Sequence, residues 1–258
     1  AEVPVNWSPD LGTVVANVSA TLMIIFYCFI VKYKEYGLHK NNKLWISFKP
    51  FKESIRLGIP TAMEFLLWNG SNLVLVKFLN EFSQEAMKIY TMVFGIEIII
   101  FAFFNGTSRA TLTLMGQKIG LEKRKEANTF FYVCTLINLI IVAISATFFV
   151  LFPTKILGIF TKEEQVISSA AIYLIFCAMI MFPKSLNVVI GSAIRAYKDT
   201  KWMLYSQIIG SIFVVSCSYF LIHIVGLDMI SIFITLFLDE AIRACINYIY
   251  FIKHYRKI

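Results

Sequence analysis

Two long apolar runs, joined by a short polar segment, make up residues 58–120: GIPTAMEFLLWNGSNLVLVKFLNEFSQEAMKIYTMVFGIEIIIFAFFNGTSRATLTLMGQKIG. Each run has room for a helix of about 20 residues, which matches the roughly 30 Å hydrocarbon core of a bilayer. The first run carries Glu64 and the second carries Glu97. A charged carboxylate in lipid would cost roughly 2 to 3 kcal/mol, so both acids should face protein or water. The stretch therefore predicts a pair of membrane-spanning helices.

The composition of the whole chain extends this prediction. Hydrophobic residues make up 58% of the 258 residues and charged residues only 16%, which excludes both an ordinary soluble domain and a disordered chain. The net charge of +8 comes from Lys and Arg in short patches between apolar runs. Positive-inside topology accounts for such patches better than nucleic-acid binding does, so we expect the lipid bilayer, and no nucleic acid, as a partner.

The pattern of apolar runs predicts an all-α, polytopic transmembrane bundle of roughly seven spans. Basic and acidic connections alternate between the spans, which places the amino terminus outside and the carboxy terminus in the cytoplasm of a multi-pass cell-membrane protein. Residues 34–56 form a basic connection that also has the spacing of an interfacial helix, limited in length by Pro50. The predicted spans are about residues 11–31, 57–79, 87–115, 127–152, 165–192, 202–225 and 229–252.

Four short motifs resemble those of one transporter family. They are G-I-P at residues 58–60, G-Q-K-I-G at 116–120, G-S-A-I-R-A-Y-K-D-T at 191–200 and L-D-E-A-I-R at 238–243. In this order they resemble the second half of multidrug and toxic compound extrusion (MATE) transporters. The family pattern after its tenth span is G-x-L-R-G-x-G-D-T, and here Ala196 and Lys198 replace its two loop glycines.

The resemblance implies a domain organisation and a function. Residues 1–33 would be the last helix of a first lobe, 34–56 the cytoplasmic connection, and 57–258 a second six-helix lobe. The missing first lobe of the same protein would then be a partner. The protein would be a secondary antiporter that needs no cofactor. It would export small organic, cationic compounds in exchange for H⁺ or, as the second choice, Na⁺.

Several charged residues lie at similar depth when counted from the predicted helix ends. They are Glu64, Arg109, Lys184, Glu240 and Arg243, all roughly 10 to 15 Å from the cytoplasmic side. Asp239 joins them as an i,i+4 neighbour of Arg243. Opposite charges at one depth usually pair, because pairing lowers the cost of desolvation. We therefore expect a charged inner layer that is structural or gating.

Glu97 lies nearer the middle of its span, and no basic residue is within one turn of it on the same helix. This predicts a carboxyl that carries the coupling proton, with Glu64 as the second candidate. The alternative is a permanently protonated Glu97 that is hydrogen-bonded to a neighbouring helix. By resemblance, a cation site would use acids on the seventh and tenth helices. Lys184 stands in place of the second acid and would repel Na⁺.

The remaining polar residues of the spans allow two interpretations. Asn69, Asn72, Asn187 and Gln207 could line a cavity, or could form hydrogen bonds between helices. No His or Cys cluster has the spacing of a metal site, and no nucleophile is paired with a base, so the sequence predicts no metal and no enzyme. Two alternatives to an antiporter are a lipid-linked oligosaccharide flippase of the same superfamily and, from a different class, a seven-helix receptor.

Overall fold

The structure is a computed structural model that describes residues 18–19, 21–26, 29 and 48–255. The chain divides into two compact units, Ala1–Lys49 and Pro50–Ile258. The described positions between residues 18 and 29 are helical. Most of the predicted first span, about 11–31, and residues 34–47 of the predicted connection lie outside the described residues.

Seven helices and one π-helical turn are described between residues 48 and 255, and this part of the chain contains no β-strand. The predicted all-α class is therefore confirmed. The helices are α1 Phe48–Phe82, α2 Gln84–Gly120, α3 Arg124–Leu151, α4 Pro153–Leu157, α5 Glu164–Ala196, α6 Thr200–Tyr219, which runs on into the π-helical turn Phe220–Ile224, and α7 Ile230–Tyr255.

The six long helices coincide with the last six predicted spans. Four segments are long and apolar enough to cross a membrane: Gln84–Gly120, Arg124–Leu151, Glu164–Ala196 and Thr200–Ile224. Helices α1 and α7 are long enough, but polar and charged side chains interrupt their apolar stretches. These two helices carry four of the charged residues that the sequence singled out.

Helix α1 begins earlier than the predicted span. Residues 48–56, which the sequence assigned to an interfacial helix in the connection, are continuous with α1. Pro50 does not end this helix because it lies within the first turn, where its missing N–H has no helical partner to lose. Pro60 lies further inside the same helix.

Helix α5 lies at the centre of the bundle and packs against α2, α3, α6 and α7. The core around it contains large side chains with no exposed surface, among them Leu174 and Met181 of α5, Phe104 of α2 and Phe233 of α7. This packing fixes the rotation of α5. It places the polar residues in the second half of α5 against α2 and α7 rather than against lipid.

A tight turn of Tyr197–Asp199 joins α5 to α6. Lys198 has a φ of 65°, in the left-handed region that favours glycine, at a position where the family pattern has a loop glycine. Asp199 caps α6 by accepting a hydrogen bond from the backbone N–H of Trp202 at 3.2 Å. The turn thus fixes how α6 enters the bundle.

Candidate functional site

A cavity of about 340 Å³ opens between α1, α2, α5, α6 and α7, within the Pro50–Ile258 unit. Its lining combines ionisable, amide and aromatic side chains. The ionisable residues are Glu64, Lys184, Arg195, Glu240 and Arg243; the others are Thr61, Phe65, Trp68, Phe101, Asn105, Ser108, Asn187, Val188, Met203 and Gln207. Such a mixture is typical of a site for a small molecule that carries charge.

Lys184 of α5 forms an ion pair with Glu97 of α2, with 2.7 Å between Nζ and Oε1. Glu97 is only 2% exposed. The ammonium group also lies 4.9 Å from the ring centre of Phe101, within range of a cation–π interaction. The distance of Lys184 from its helix end predicted that it lies in one layer with Glu64. In the structure its ion-pair partner is Glu97. Glu97 lacks a base on its own helix, as expected, and receives one from α5.

Arg195 supplies the basic partner of Glu64, with 2.5 Å between Nη2 and Oε1. The other carboxylate oxygen of Glu64 and the Nε of Arg195 are buried, and neither has a hydrogen-bond partner among the described residues. The sequence did not indicate Arg195 as a site residue, although it lies within the motif at residues 191–200. Its spacing from Lys184 could have indicated its place in the site. Arg195 lies 11 residues after Lys184, which is about three helical turns, so both side chains project from about the same face of α5.

Arg243 and its two acidic neighbours form a compact cluster on α7. Its Nη2 lies 2.7 Å from Asp239 Oδ2 and 3.1 Å from Glu240 Oε1, and its Nη1 donates to Gln207 Oε1 at 2.9 Å. All four side chains are buried. The expected i,i+4 pair of Asp239 and Arg243 is present. Gly210 of α6 lets this cluster approach closely, since a Cβ there would lie 2.6 Å from Arg243 Cδ.

A chain of amide hydrogen bonds links this cluster to the start of α6. Asn187 Nδ2 donates to Glu240 Oε2 at 2.9 Å, and Asn247 Nδ2 donates to Asn187 Oδ1 at 2.8 Å. The indole Nε1 of Trp202 donates to Asn247 Oδ1 at 2.9 Å. Neither Trp202 nor Asn247 was identified from the sequence.

The other residues predicted for the site are more dispersed. Arg109 is exposed on α2 and is absent from the lining of the cavity, so it does not join the charged layer. Asn72 lines a smaller adjoining pocket that it shares with Asp239 and Gln207. Asn69 donates back to the carbonyl of Phe65 on its own helix at 2.8 Å. Asn187 and Gln207 alone of the four predicted polar residues line the main cavity.

The cavity walls and their direct partners are unequal in charge. The lining itself has two carboxylates, Glu64 and Glu240, and three basic groups, Lys184, Arg195 and Arg243. Two further carboxylates, Glu97 and Asp239, lie outside the lining and pair with Lys184 and Arg243, which makes four carboxylates to three basic groups. With every group ionised, this part of the molecule carries one excess negative charge. A buried excess charge favours the binding of a proton or a cation.

The family of the chain follows from comparison with known proteins. The sequence model of the MatE family matches residues 60–220. The chain belongs to the MatE family. MATE transporters are not enzymes, in agreement with the prediction that this protein is not an enzyme. Membership of a transporter family also argues against the seven-helix receptor. The assignment also confirms the resemblance and the character of a multi-pass membrane protein.

Relatives and solved structures agree with this assignment. The chain is 25% identical over 201 residues to a probable multidrug resistance protein NorM of Pasteurella multocida, covering 76% of this chain and 42% of the relative. It is 26% identical over 219 residues to an uncharacterized transporter, YisQ, of Bacillus subtilis, covering 83% and 46%. The chain thus spans less than half the length of these relatives.

Two solved structures show the likeness in fold. One is an outward-facing multidrug resistance MATE family transporter of the MOP superfamily, with a TM-score of 0.74 and 16% identity over 81% of this chain and 46% of that one. The other is a MOP superfamily transporter from Pyrococcus furiosus described as having a binding pocket of reverse polarity. Its TM-score is 0.79 at 15% identity, covering 92% of this chain and 55% of that one.

Proposed function

We propose that this chain is the carboxy-terminal lobe, with the preceding helix, of a secondary antiporter that exports small organic cations across the cell membrane. Other parts of the same protein would supply the first lobe, and the carboxy terminus would be cytoplasmic. The NorM relatives named as probable multidrug resistance proteins support this assignment. The exchange ion would be H⁺, with Na⁺ as the second choice.

The excess of one carboxylate among the cavity walls and their ion-pair partners is the observation that carries this proposal. One unbalanced negative charge can be neutralised by a proton or by an organic cation, but not by both at once. Competition for one site couples the two in opposite directions when the cavity opens to alternate sides. Phe65, Trp68 and Phe101 line the same cavity and offer aromatic faces that attract organic cations.

Glu64 and Glu97 are the proposed coupling residues. Each has a basic partner on α5, Arg195 and Lys184, so protonation of either acid frees one cation in the cavity. A freed cation would repel a cationic substrate and help its release. Glu64 has the additional feature of a buried oxygen with no hydrogen-bond partner among the described residues, which leaves an acceptor for a proton or a cation.

The flippase alternative rests on the three basic residues of the cavity. A lipid-linked pyrophosphate carries several negative charges and would need basic groups that are not already neutralised. Lys184, Arg195 and Arg243 each have a carboxylate partner within 2.7 Å. This pairing favours a cationic substrate over a pyrophosphate.

Ethidium accumulation tests the proposed function. The full-length protein encoded by the gene that contains this chain is expressed in cells without their own multidrug exporters. We expect these cells to accumulate less ethidium than cells that do not express the protein. Collapse of the pH gradient should raise accumulation to the level of the cells without the protein. Replacing Na⁺ by K⁺ in the medium distinguishes the two ions. Accumulation equal to that of empty cells under both gradients would contradict the proposal.

A further inference from the structure

Arg109 is an exposed basic residue well inside a helix that is long and apolar enough to cross a membrane. Eleven residues, or about 16 Å along the helix axis, separate it from Gly120 at the end of α2. Its guanidinium forms no ion pair and no hydrogen bond with any of the described residues. The charge of Arg109 is therefore not compensated within the described part of the chain.

Lipid is an unsuitable environment for this side chain. An unpaired guanidinium in hydrocarbon is costly, and arginines within membrane spans almost always face protein or water. Long basic side chains near the end of a span can extend to the membrane surface. The next charged residue on α2 is Lys118, about 14 Å further along the axis, which is longer than an extended arginine side chain. Arg109 thus requires a polar partner at its own depth.

The face of α2 that carries Arg109 lies beside the main cavity. Asn105, one helical turn before Arg109, is exposed and lines the cavity, as does Ser108. Thr113, one turn after Arg109, is exposed as well. Helix α2 packs against α3 and α5, and neither of them covers this face. A polar exposed face next to a cavity indicates contact with protein or water rather than with lipid.

The length of the relatives indicates what covers this face. The chain spans 42% and 46% of the NorM and YisQ relatives, so more than half of such a protein lies outside it. The proposed function assigns that part to a first lobe, and the inference drawn here rests on that assignment. Charge complementarity defines the contact, because a guanidinium is matched best by a carboxylate that can accept two hydrogen bonds.

We propose that Arg109 forms an ion pair with a carboxylate of the first lobe, and that the face of α2 around Arg109 is a surface on which that lobe packs. The pair lies next to the cavity, on the side of Asn105 that points toward Gly120. When it forms, it joins the two lobes and closes the cavity at that end. When the lobes separate there, the pair breaks.

Thermal unfolding of the full-length protein in lipid nanodiscs tests this pairing, because the possible environments of Arg109 predict different signs. Arg109→Met leaves the carboxylate of the first lobe without its base, so the thermal midpoint should fall by roughly 5 °C. If Arg109 faces lipid, the apolar methionine raises the midpoint. If Arg109 faces water, the midpoint does not change. A rise or no change would overturn the proposal.

Double variants identify the partner. Arg109→Met is combined with replacement of each Asp of the first lobe by Asn and of each Glu by Gln, one at a time. One of these changes should restore most of the lost midpoint, because it removes the stranded charge. Absence of rescue by any of them would overturn the proposal. Rescue only by a carboxylate within residues 48–255 would place a second copy of the chain on this face and would overturn it as well.

Two further variants serve as controls. Arg109→Lys keeps the positive charge and should lose less than Arg109→Met. Lys125→Met removes an exposed lysine at the start of α3 that has no ion pair among the described residues, and its midpoint should equal the native one. An equal fall in Lys125→Met and Arg109→Met would contradict the pairing. If Arg109→Met does not fold, recovery of folded protein in one double variant decides the question.

The outcome is separable from that of the proposed function, because the readout does not depend on transport. A protein that exports ethidium but keeps its midpoint in Arg109→Met contradicts the ion pair alone. A protein that shows rescue in a double variant but exports no ethidium contradicts the proposed function alone.

Discussion

Lys184 and Glu97, 87 positions apart in the sequence, form an ion pair of 2.7 Å between α5 and α2 in the interior of the bundle. The carboxylate has almost no exposed surface, so this contact joins two helices and neutralises a buried charge at once. The effects of replacing Lys184 and of replacing Glu97 on the free energy of unfolding should consequently be strongly non-additive.

The coupling between Lys184 and Glu97 is measurable as a double-mutant cycle. Lys184→Met leaves a buried carboxylate without its base, which should destabilise the protein by about 3 to 5 kcal/mol and clearly lower its thermal midpoint in detergent. The double variant Glu97→Gln, Lys184→Met removes both charges and should be more stable than Lys184→Met alone. Additive effects of the two single changes would show that the ion pair does not exist.

Gly210→Ala should disrupt the Asp239–Arg243 cluster. The added Cβ would lie 2.6 Å from Arg243 Cδ and 2.7 Å from Asp239 Oδ1, so either these two side chains must shift or α6 and α7 must separate. Overpacking of this kind costs about 1 to 3 kcal/mol, which should lower the thermal midpoint. Gly95→Ala is the control, since a Cβ there meets no atom within 4 Å. Gly95→Ala should be neutral or slightly stabilising, and an equal loss in both variants would refute the role of Gly210.

Lys198→Gly should raise the thermal midpoint. Lys198 has a φ of 65°, which costs a side-chain-bearing residue about 1 kcal/mol. The change also removes the exposed ion pair of Lys198 with Glu53, at 2.6 Å. Exposed pairs contribute little, so the backbone effect should dominate. Lys198→Ala removes the same ion pair and keeps the strain, so the glycine variant should be the more stable of the two. Equal midpoints would contradict this explanation.

Asp199 should make stability depend on pH in the acidic range. Partial burial raises the pKa of its carboxyl, but hydrogen bonds from Tyr250, Tyr255 and the backbone of Trp202 outweigh burial and lower the pKa. Since the pKa is lower in the folded state, the stabilisation is present above the unfolded value of about 3.9 and is lost as the pH falls through the folded value. The thermal midpoint of the native protein should therefore fall toward that of Asp199→Asn as the pH decreases from about 5 to about 2. If the thermal midpoints of the native protein and of Asp199→Asn keep the same separation at every pH, the lowered pKa of Asp199 is contradicted.

The fold was largely predictable because long apolar runs leave few structural choices. The hairpin of residues 58–120 is recovered as α1 and α2, and the motif at Gly191–Thr200 lies at the turn between α5 and α6. The start of α1 was less predictable. Pro50 suggested the end of a helix, because proline is unfavourable in a helix interior, but it lies in the first turn of α1, where proline is tolerated.

Partners within the site were harder to predict, because depth along a helix does not give rotation around it. Arg109 follows Glu97 by 12 residues and projects about 120° away from it, which leaves Arg109 exposed. Lys184 and Arg195 share one face of α5, but which acid each would meet depends on how α1, α2 and α5 pack. The amide partners Trp202 and Asn247 depend on the same packing and have no local sequence signal.

Proton movement driven by substrate is the most direct test of the claim that carboxylates of this lobe couple export to an ion. The full-length protein is placed in liposomes that contain a pH-sensitive dye, and ethidium is added on one side. The native protein should move protons against the ethidium flux. Glu64→Gln or Glu97→Gln should reduce this proton movement at least about tenfold, a loss of about 1.4 kcal/mol in the coupled step. Glu163→Gln, at an exposed position before α5, should behave as the native protein does. Proton movement at the native rate in both Glu64→Gln and Glu97→Gln would contradict the account.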